Sequence, residues 1–253
     1  MITVWARRIL FIATLAVIWE VTSRTGIYPS FMFPSLTQVF QTLFNGLVDG
    51  QILVAIYKSL GRLVIGFMIA ITLGIFLGYL IWRYKLVDDT LGFLITALQS
   101  IPSIVWFPLA IVWFGLNNTA ILFIVTIGAT WTMTVSASTG FKNVPNLYQR
   151  VGKTLGSSGF HFVRTVIFPA SIPHIITGLR IAWAFAWRAL MAGELLGAGE
   201  GLGHLLEMGR ALGRMDLVIS VMIVIAIVGT IMDNAVFLRL ERRVQEKWGV
   251  KRI

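Results

Sequence analysis

Cysteine is absent from the 253 residues, which excludes disulfides and thiolate metal sites and leaves no trace of a redox compartment. Histidine is scarce. His161, His174 and His204 are the only three, and none belongs to an H-E-x-x-H motif, so no metal site is expected. Charge is scarce too: Asp, Glu, Lys and Arg make up 13% of the chain, about half the usual share for a soluble domain. There is no G-x-S-x-G and no serine, histidine and acid set, which removes support for acyl transfer. The run Gly197 to Gly203, GAGEGLG, lacks the G-K-S/T end of a phosphate loop and misses the last glycine of G-x-G-x-x-G, so nucleotide binding by this chain is not expected. These gaps exclude most enzyme classes; no catalytic residue and no bound cofactor is assigned.

What the chain has instead is apolar length. Hydrophobic residues reach 57% and mean hydropathy is +0.83, values that indicate a membrane protein. A net charge of +10 suggests nucleic acid only superficially, because the basic residues are scattered between apolar runs rather than gathered on a soluble module. Six runs are each long enough to cross a hydrocarbon core of roughly 30 Å. They lie near 5–24, 56–82, 91–115, 119–139, 174–197 and 217–238, and the first, behind Arg7 and Arg8, reads as a retained span rather than a cleaved signal. Placing the N-terminus in the cytoplasm puts 14 Lys and Arg on the inside, ending with Arg239, Arg242, Arg243, Lys247, Lys251 and Arg252. Only Arg210 and Arg214 then fall in the outside loops. By the positive-inside rule this orients a multi-pass membrane chain with both termini cytoplasmic.

Between the spans, Pro34 and Ser35 open a short helix whose Val39, Phe40, Leu43 and Phe44 form an apolar stripe, read as an interfacial packing element or a contact for a docked solute receptor. The second span carries Gly61, Gly66, Gly74 and Gly78, small residues that let membrane helices approach closely. The third holds Pro102 and Pro108, which predict a kinked helix facing protein. The glycine run 197–203 predicts a tight turn or re-entrant bend, followed by a short amphipathic helix.

Charges inside spans are the informative ones, since burying one in hydrocarbon costs at least about 2.5–3.5 kcal/mol. Arg180, Arg188 and Glu194 share the fifth span. At 100° per residue Arg180 lies about 80° from Arg188 and about 40° from Glu194, so one broad face can carry all three and line a path. Arg188 then either supplies positive potential to a small anion or forms an internal ion pair with Glu194, Asp233 or Glu20.

One polar, basic stretch interrupts the apolar pattern: Tyr148 to Pro169, YQRVGKTLGSSGFHFVRTVIFP. Pro145 suits a helix start, and Gly156 suits its stop. Ser157 or Ser158 then caps a second short helix bearing Phe160, Val163, Val166 and Ile167, which Pro169 ends. Arg150, Lys153 and Arg164 rim this hairpin, and Gly152 and Gly156 let its arms approach. The plain alternative is a solvated basic loop.

Gly156, nine residues, then Val166-Ile167-Phe168-Pro169 resembles the loop signature of binding-protein-dependent ABC importer permeases, although Arg150, Val151 and Gly152 stand where the family has Glu-Ala-Ala. Ile101, Pro102, Trp106, Pro108, Leu109, Trp113, Phe114 and Gly115 are similar to a pattern of the nitrate, sulfonate, taurine and bicarbonate permeases, as are Gly178, Leu179, Arg180 and Glu194. Arg188 is absent from that pattern. The resemblance implies an all-α membrane protein, a single permease domain over residues 1–253 with six transmembrane helices in the type I importer fold. It implies a cytoplasmic coupling loop over 140–170 in which Arg150, Gly152, Lys153, Gly156, Ser158, Phe160, His161, Arg164 and Pro169 meet a separate ATPase. ATP and Mg would belong to that ATPase. The other implied partners are an extracytoplasmic solute-binding protein, a second permease copy and membrane lipid, with no nucleic acid. The cargo is a small anion, or else a vitamin precursor or aromatic acid. A secondary transporter or channel without an ATPase is the rival from another class, but the halves show no internal similarity.

Overall fold

The computed structural model describes residues 2–247; Lys251 and Arg252, counted above in the basic tail, lie outside the described residues. Every regular element among the described residues is helical. In chain order these are α1 (Ile2–Arg24), α2 (Leu36–Val48), α3 (Gln51–Arg83), α4 (Lys85–Gln99), α5 (Ser103–Phe114), α6 (Asn118–Lys142), α7 (Asn146–Thr154), α8 (Gly159–Leu195), α9 (Leu202–Ala211) and α10 (Met215–Val244). Helices α3, α6, α8 and α10 are long and apolar enough to cross a membrane, and α4 with α5 makes a fifth if the bent pair is one span. A count of six also requires α1, a 23-residue helix whose Ile9, Leu10, Phe11 and Ile12 are all exposed.

Two compact units divide the chain, Met1–Ser59 with Glu194–Ile227, and Leu60–Gly193 with Val228–Ile253. In the first, α1 holds the entry to α2. The Trp19 indole donates to the Pro34 carbonyl at 3.0 Å, and Glu20 accepts the Leu36 N–H at 2.8 Å, satisfying a backbone donor that a helix start leaves open. Glu20 is thereby committed locally. The α2 start is a capping box between Ser35 and Gln38, and Val39 is fully buried. Phe40 and Phe44 of the expected stripe are instead exposed, because the packed face is the one carrying Val39 and Gly46.

In the second unit, glycines in α3 set the distance to α6. A Cβ on Gly74 would lie 2.6 Å from the Met133 Cβ, and one on Gly78 would lie 2.7 Å from the Ala137 Cβ and 2.9 Å from the Ser138 backbone nitrogen. Gly66 meets Val125 in the same way, whereas Gly61 has open space. Phe67, Trp183 and Phe237 join α3, α8 and α10 through a cluster of tilted rings. Lys142 closes α6 against α4 by pairing with Asp88 at 2.7 Å.

Two expectations about prolines are corrected. The third span is not a kinked helix but two helices bent by 98°. Pro102 disfavours helical geometry at the residue before it and is itself extended (φ −55°, ψ 134°), so the chain turns there. Pro108 does not kink anything, because it sits in the first turn of its α-helical segment, where its missing N–H costs nothing. Nor does Pro169 end the second arm of the hairpin: α8 continues through it and through Pro173 to Leu195. A π-helical stretch at Val163–Ile167 ends two residues before Pro169. Its wider turn relieves the clash between the proline ring and the carbonyl four residues back. The fifth span and the hairpin arm are therefore one rod.

Candidate functional site

The hairpin forms as a helix, a tight stop and a return. Helix α7 ends in a Schellman motif: the Gly156 N–H donates to the Lys153 carbonyl and the Ser157 N–H to the Gly152 carbonyl, each at 3.0 Å. Gly156 has φ +82°, the left-handed value this motif requires of its glycine. The two glycines do different jobs. Gly156 has nothing within 4 Å of an added Cβ, so it serves the turn alone, and only Gly152 serves close approach. A Cβ there would lie 2.7 Å from the Val166 Cγ2 and 3.1 Å from the Phe162 ring.

Ser158 takes the N-cap position of α8, but its hydroxyl makes no cap bond, correcting the expected role. Phe160, expected on the packing face, is 76% exposed; the helix phase turns Phe162 toward Gly152 instead. Leu147, Tyr148 and Val151 on α7, Leu155 just past its end, and Val166 and Pro169 on α8 line an open apolar groove of about 460 Å³. Arg150, Lys153, His161 and Arg164 stand exposed around the hairpin. Among the described residues none of the three cations has an ion pair, and Lys153 lies over the Phe162 ring at 6.0 Å. The hairpin thus presents an apolar groove whose basic rim no acid among the described residues neutralises.

The three charges on α8 have separate environments. Arg180 is clamped: Nε and Nη2 hold the two Asp233 oxygens at 2.8 and 2.7 Å, and Nη1 reaches Glu241 at 3.2 Å. Thr177 donates to the other Glu241 oxygen at 3.0 Å, so the clamp ties α8 to α10. Asp233 was one of three acids open to Arg188 as a partner; the structure gives it to Arg180. Glu241 and Thr177 were not singled out, and only their i, i+8 and i, i+3 positions relative to Asp233 and Arg180 hinted at a shared face.

Glu194 is fully buried. Both its oxygens lie 2.8 Å from the Ser59 hydroxyl, the Gly203 N–H donates to it at 2.9 Å, and the Ser59 oxygen in turn accepts the Leu202 N–H at 2.9 Å. A Cβ on Gly201 would stand 2.5 Å from that carboxylate. The glycine-rich run is thus a bend wrapped around the chain's own buried acid, and α9 follows it as expected. Ser59 escaped the sequence reading because a lone serine in an apolar span has no distinguishing spacing.

Arg188 differs from both. It is exposed, its guanidinium stacks over Phe185 at 5.0 Å, and no carboxylate among the described residues neutralises it. No cluster of metal-ligating side chains occurs among the described residues.

Comparisons with known proteins bear on the family and the fold. The family described as "Binding-protein-dependent transport system inner membrane component" matches residues 70–246. A putative ABC transporter permease protein of Methanocaldococcus jannaschii is 34% identical over 95% of this chain and 90% of its own length. The nitrate import permease protein NrtB of Synechocystis is 30% identical over 88% of this chain and 83% of its own length. Aliphatic sulfonate, taurine and bicarbonate permease proteins match as well. In fold, the chain is similar to a subunit of the inward-facing methionine ABC transporter MetNI, with a TM-score of 0.67 at 18% identity over 76% of this chain and 95% of that one.

Proposed function

Because the chain belongs to the binding-protein-dependent transport system inner membrane components and has the fold of an ABC importer permease, we propose that it forms the membrane path of an ATP-driven importer for a small anion. Nitrate, sulfonate and bicarbonate, with taurine contributing a sulfonate group beside its ammonium, are the solutes in the names of its relatives and define the class. The observation that carries the anionic cargo is Arg188: a guanidinium within a span, held against an aromatic face and left without a carboxylate, offers its charge to a solute. Arg180 and Glu194 are spent on internal partners instead.

Energy enters from outside the chain. The hairpin groove takes an apolar ridge of a cytoplasmic ATPase while Arg150, Lys153 and Arg164 meet acidic residues at its edge. Since α8 is continuous from the hairpin to Leu195, a displacement of the hairpin is delivered along one rod to Arg180 and Arg188. Two permease copies, two ATPases holding ATP and Mg, and an extracytoplasmic binding protein complete the assembly. Both termini lie in the cytoplasm.

The test is copurification and uptake. Tagged permease coexpressed with its ATPase should retain it, and liposomes containing the whole assembly should accumulate anion with ATP inside. Arg188→Gln should lower uptake with assembly intact, and Arg188→Lys should restore part of it. Permease that never retains an ATPase overturns the importer reading; full uptake by the glutamine variant overturns the role of Arg188.

A further inference from the structure

The bend that replaces the third span borders a largely apolar pocket with a few polar side chains, to which no role is assigned. It has a volume of about 190 Å³ and lies between the α4–α5 break and α6, with Phe185 of α8 along one side. That is well above the roughly 10–15 Å³ a single water needs. Its construction depends on Gly128, where a Cβ would stand 3.0 Å from the Ser103 Cβ, so the break seats directly on α6.

Three hydrogen-bond donors belong to this lining and have no partner among the described residues: the Gln99 amide, the Ser103 hydroxyl and the Trp131 indole N–H, the last fully shielded from solvent. Buried polar groups are almost always satisfied, and an orphan indole costs about 1–3 kcal/mol, so a group that collects such donors is expected there. Thr132 contributes a hydroxyl that makes only a long 3.4 Å bond to the Gly128 carbonyl. No carboxylate lines the pocket. A set of neutral donors without an acid repels nothing negative. Phe185, which closes one side, is also the ring over which Arg188 stacks, so the uncompensated guanidinium stands one side chain away.

We propose that this pocket is a transit site within the permease for a small oxyanion, which accepts hydrogen bonds from Gln99, Ser103 and Trp131 while Arg188 supplies the charge. The inference rests on the anionic cargo argued above and adds the place where the permease itself reads it.

The absence of native cysteine supplies the assay. Ile101, at the rim of the pocket and 37% exposed, becomes a single reporter thiol in Ile101→Cys. The permease, assembled with its ATPase in nanodiscs, is labelled with a neutral maleimide in sodium nitrate or sodium methanesulfonate, with sodium gluconate keeping ionic strength constant. Nitrate or methanesulfonate should slow labelling about threefold at twice its dissociation constant. Adding Trp131→Phe should raise the concentration needed about tenfold, the worth of one hydrogen bond to an anion. Gln99→Met serves the same purpose should the tryptophan variant fail to assemble. Labelling that neither anion slows, in an assembly that still imports anion at the wild-type rate, overturns the pocket and leaves the importer reading standing. An assembly that retains its ATPase but imports no anion overturns the anionic cargo, and the pocket assignment falls with it.

Discussion

Replacing Gly152 by alanine tests whether the hairpin's geometry, rather than its charge alone, grips a partner. The new Cβ would lie 2.7 Å from the Val166 Cγ2, 0.7 Å inside the 3.4 Å at which ordinary contact begins, and 3.1 Å from the Phe162 ring. Relieving such an overlap costs about 1–3 kcal/mol. Alanine also returns about 1 kcal/mol of helix propensity in α7, so the net change in stability is only about 0–2 kcal/mol. The protein should therefore still fold, with α7 pushed away from α8 and the apolar groove reshaped. Affinity for the ATPase, measured by titrating labelled ATPase onto the permease in nanodiscs, should fall about tenfold or more for each 1.4 kcal/mol of lost fit. Val166→Ala removes the atom that clashes. The double variant should recover most of the loss, with an interaction energy within the roughly 0.5–3 kcal/mol seen for residues in contact. Wild-type affinity in Gly152→Ala, or strictly additive effects in the double variant, would refute the packing argument.

Further outcomes follow from the same geometry. Gly156→Ala meets no neighbour, but it places a Cβ at φ +82° and should cost about 1–2 kcal/mol through backbone strain, with Gly156→Asn recovering part of this in thermal melts. Glu194→Ala leaves the Ser59 hydroxyl and the Gly203 N–H without their acceptor in a fully buried site and should cost about 3–5 kcal/mol, read as loss of folded protein after detergent extraction; Ser59→Ala should be milder. Gly78→Ala presses on backbone atoms of α6 that cannot rotate away and should lower the melting temperature, while Gly61→Ala, with open space, should leave it unchanged or raise it.

Several features were legible in the chain because they depend on local chemistry. The start of α2 at Ser35 and the stop of α7 at Gly156 follow from side-chain capping and from glycine's access to positive φ. The helical class follows from apolar runs whose backbone must bond internally in lipid. Family membership was readable from the spacing of Gly156 and Pro169, even though the Glu-Ala-Ala triplet is lost. Proline misled in both directions, since its effect depends on the turns around it. Pro102 follows a residue that cannot stay helical, whereas Pro169 is absorbed by the wide turn before it.

By itself the sequence determined that this chain lies in a membrane, which segments are helical and where a polar hairpin interrupts them, because hydropathy, capping and turn preferences act over a few residues. Only the tertiary structure decided how the charges are spent. Arg180 goes to Asp233 and Glu241, and Glu194 goes to Ser59 and the glycine bend, while Arg188 keeps its charge. Pairings of that kind join residues tens to more than a hundred positions apart, and which groups meet is set by how helices pack, a property no local window contains.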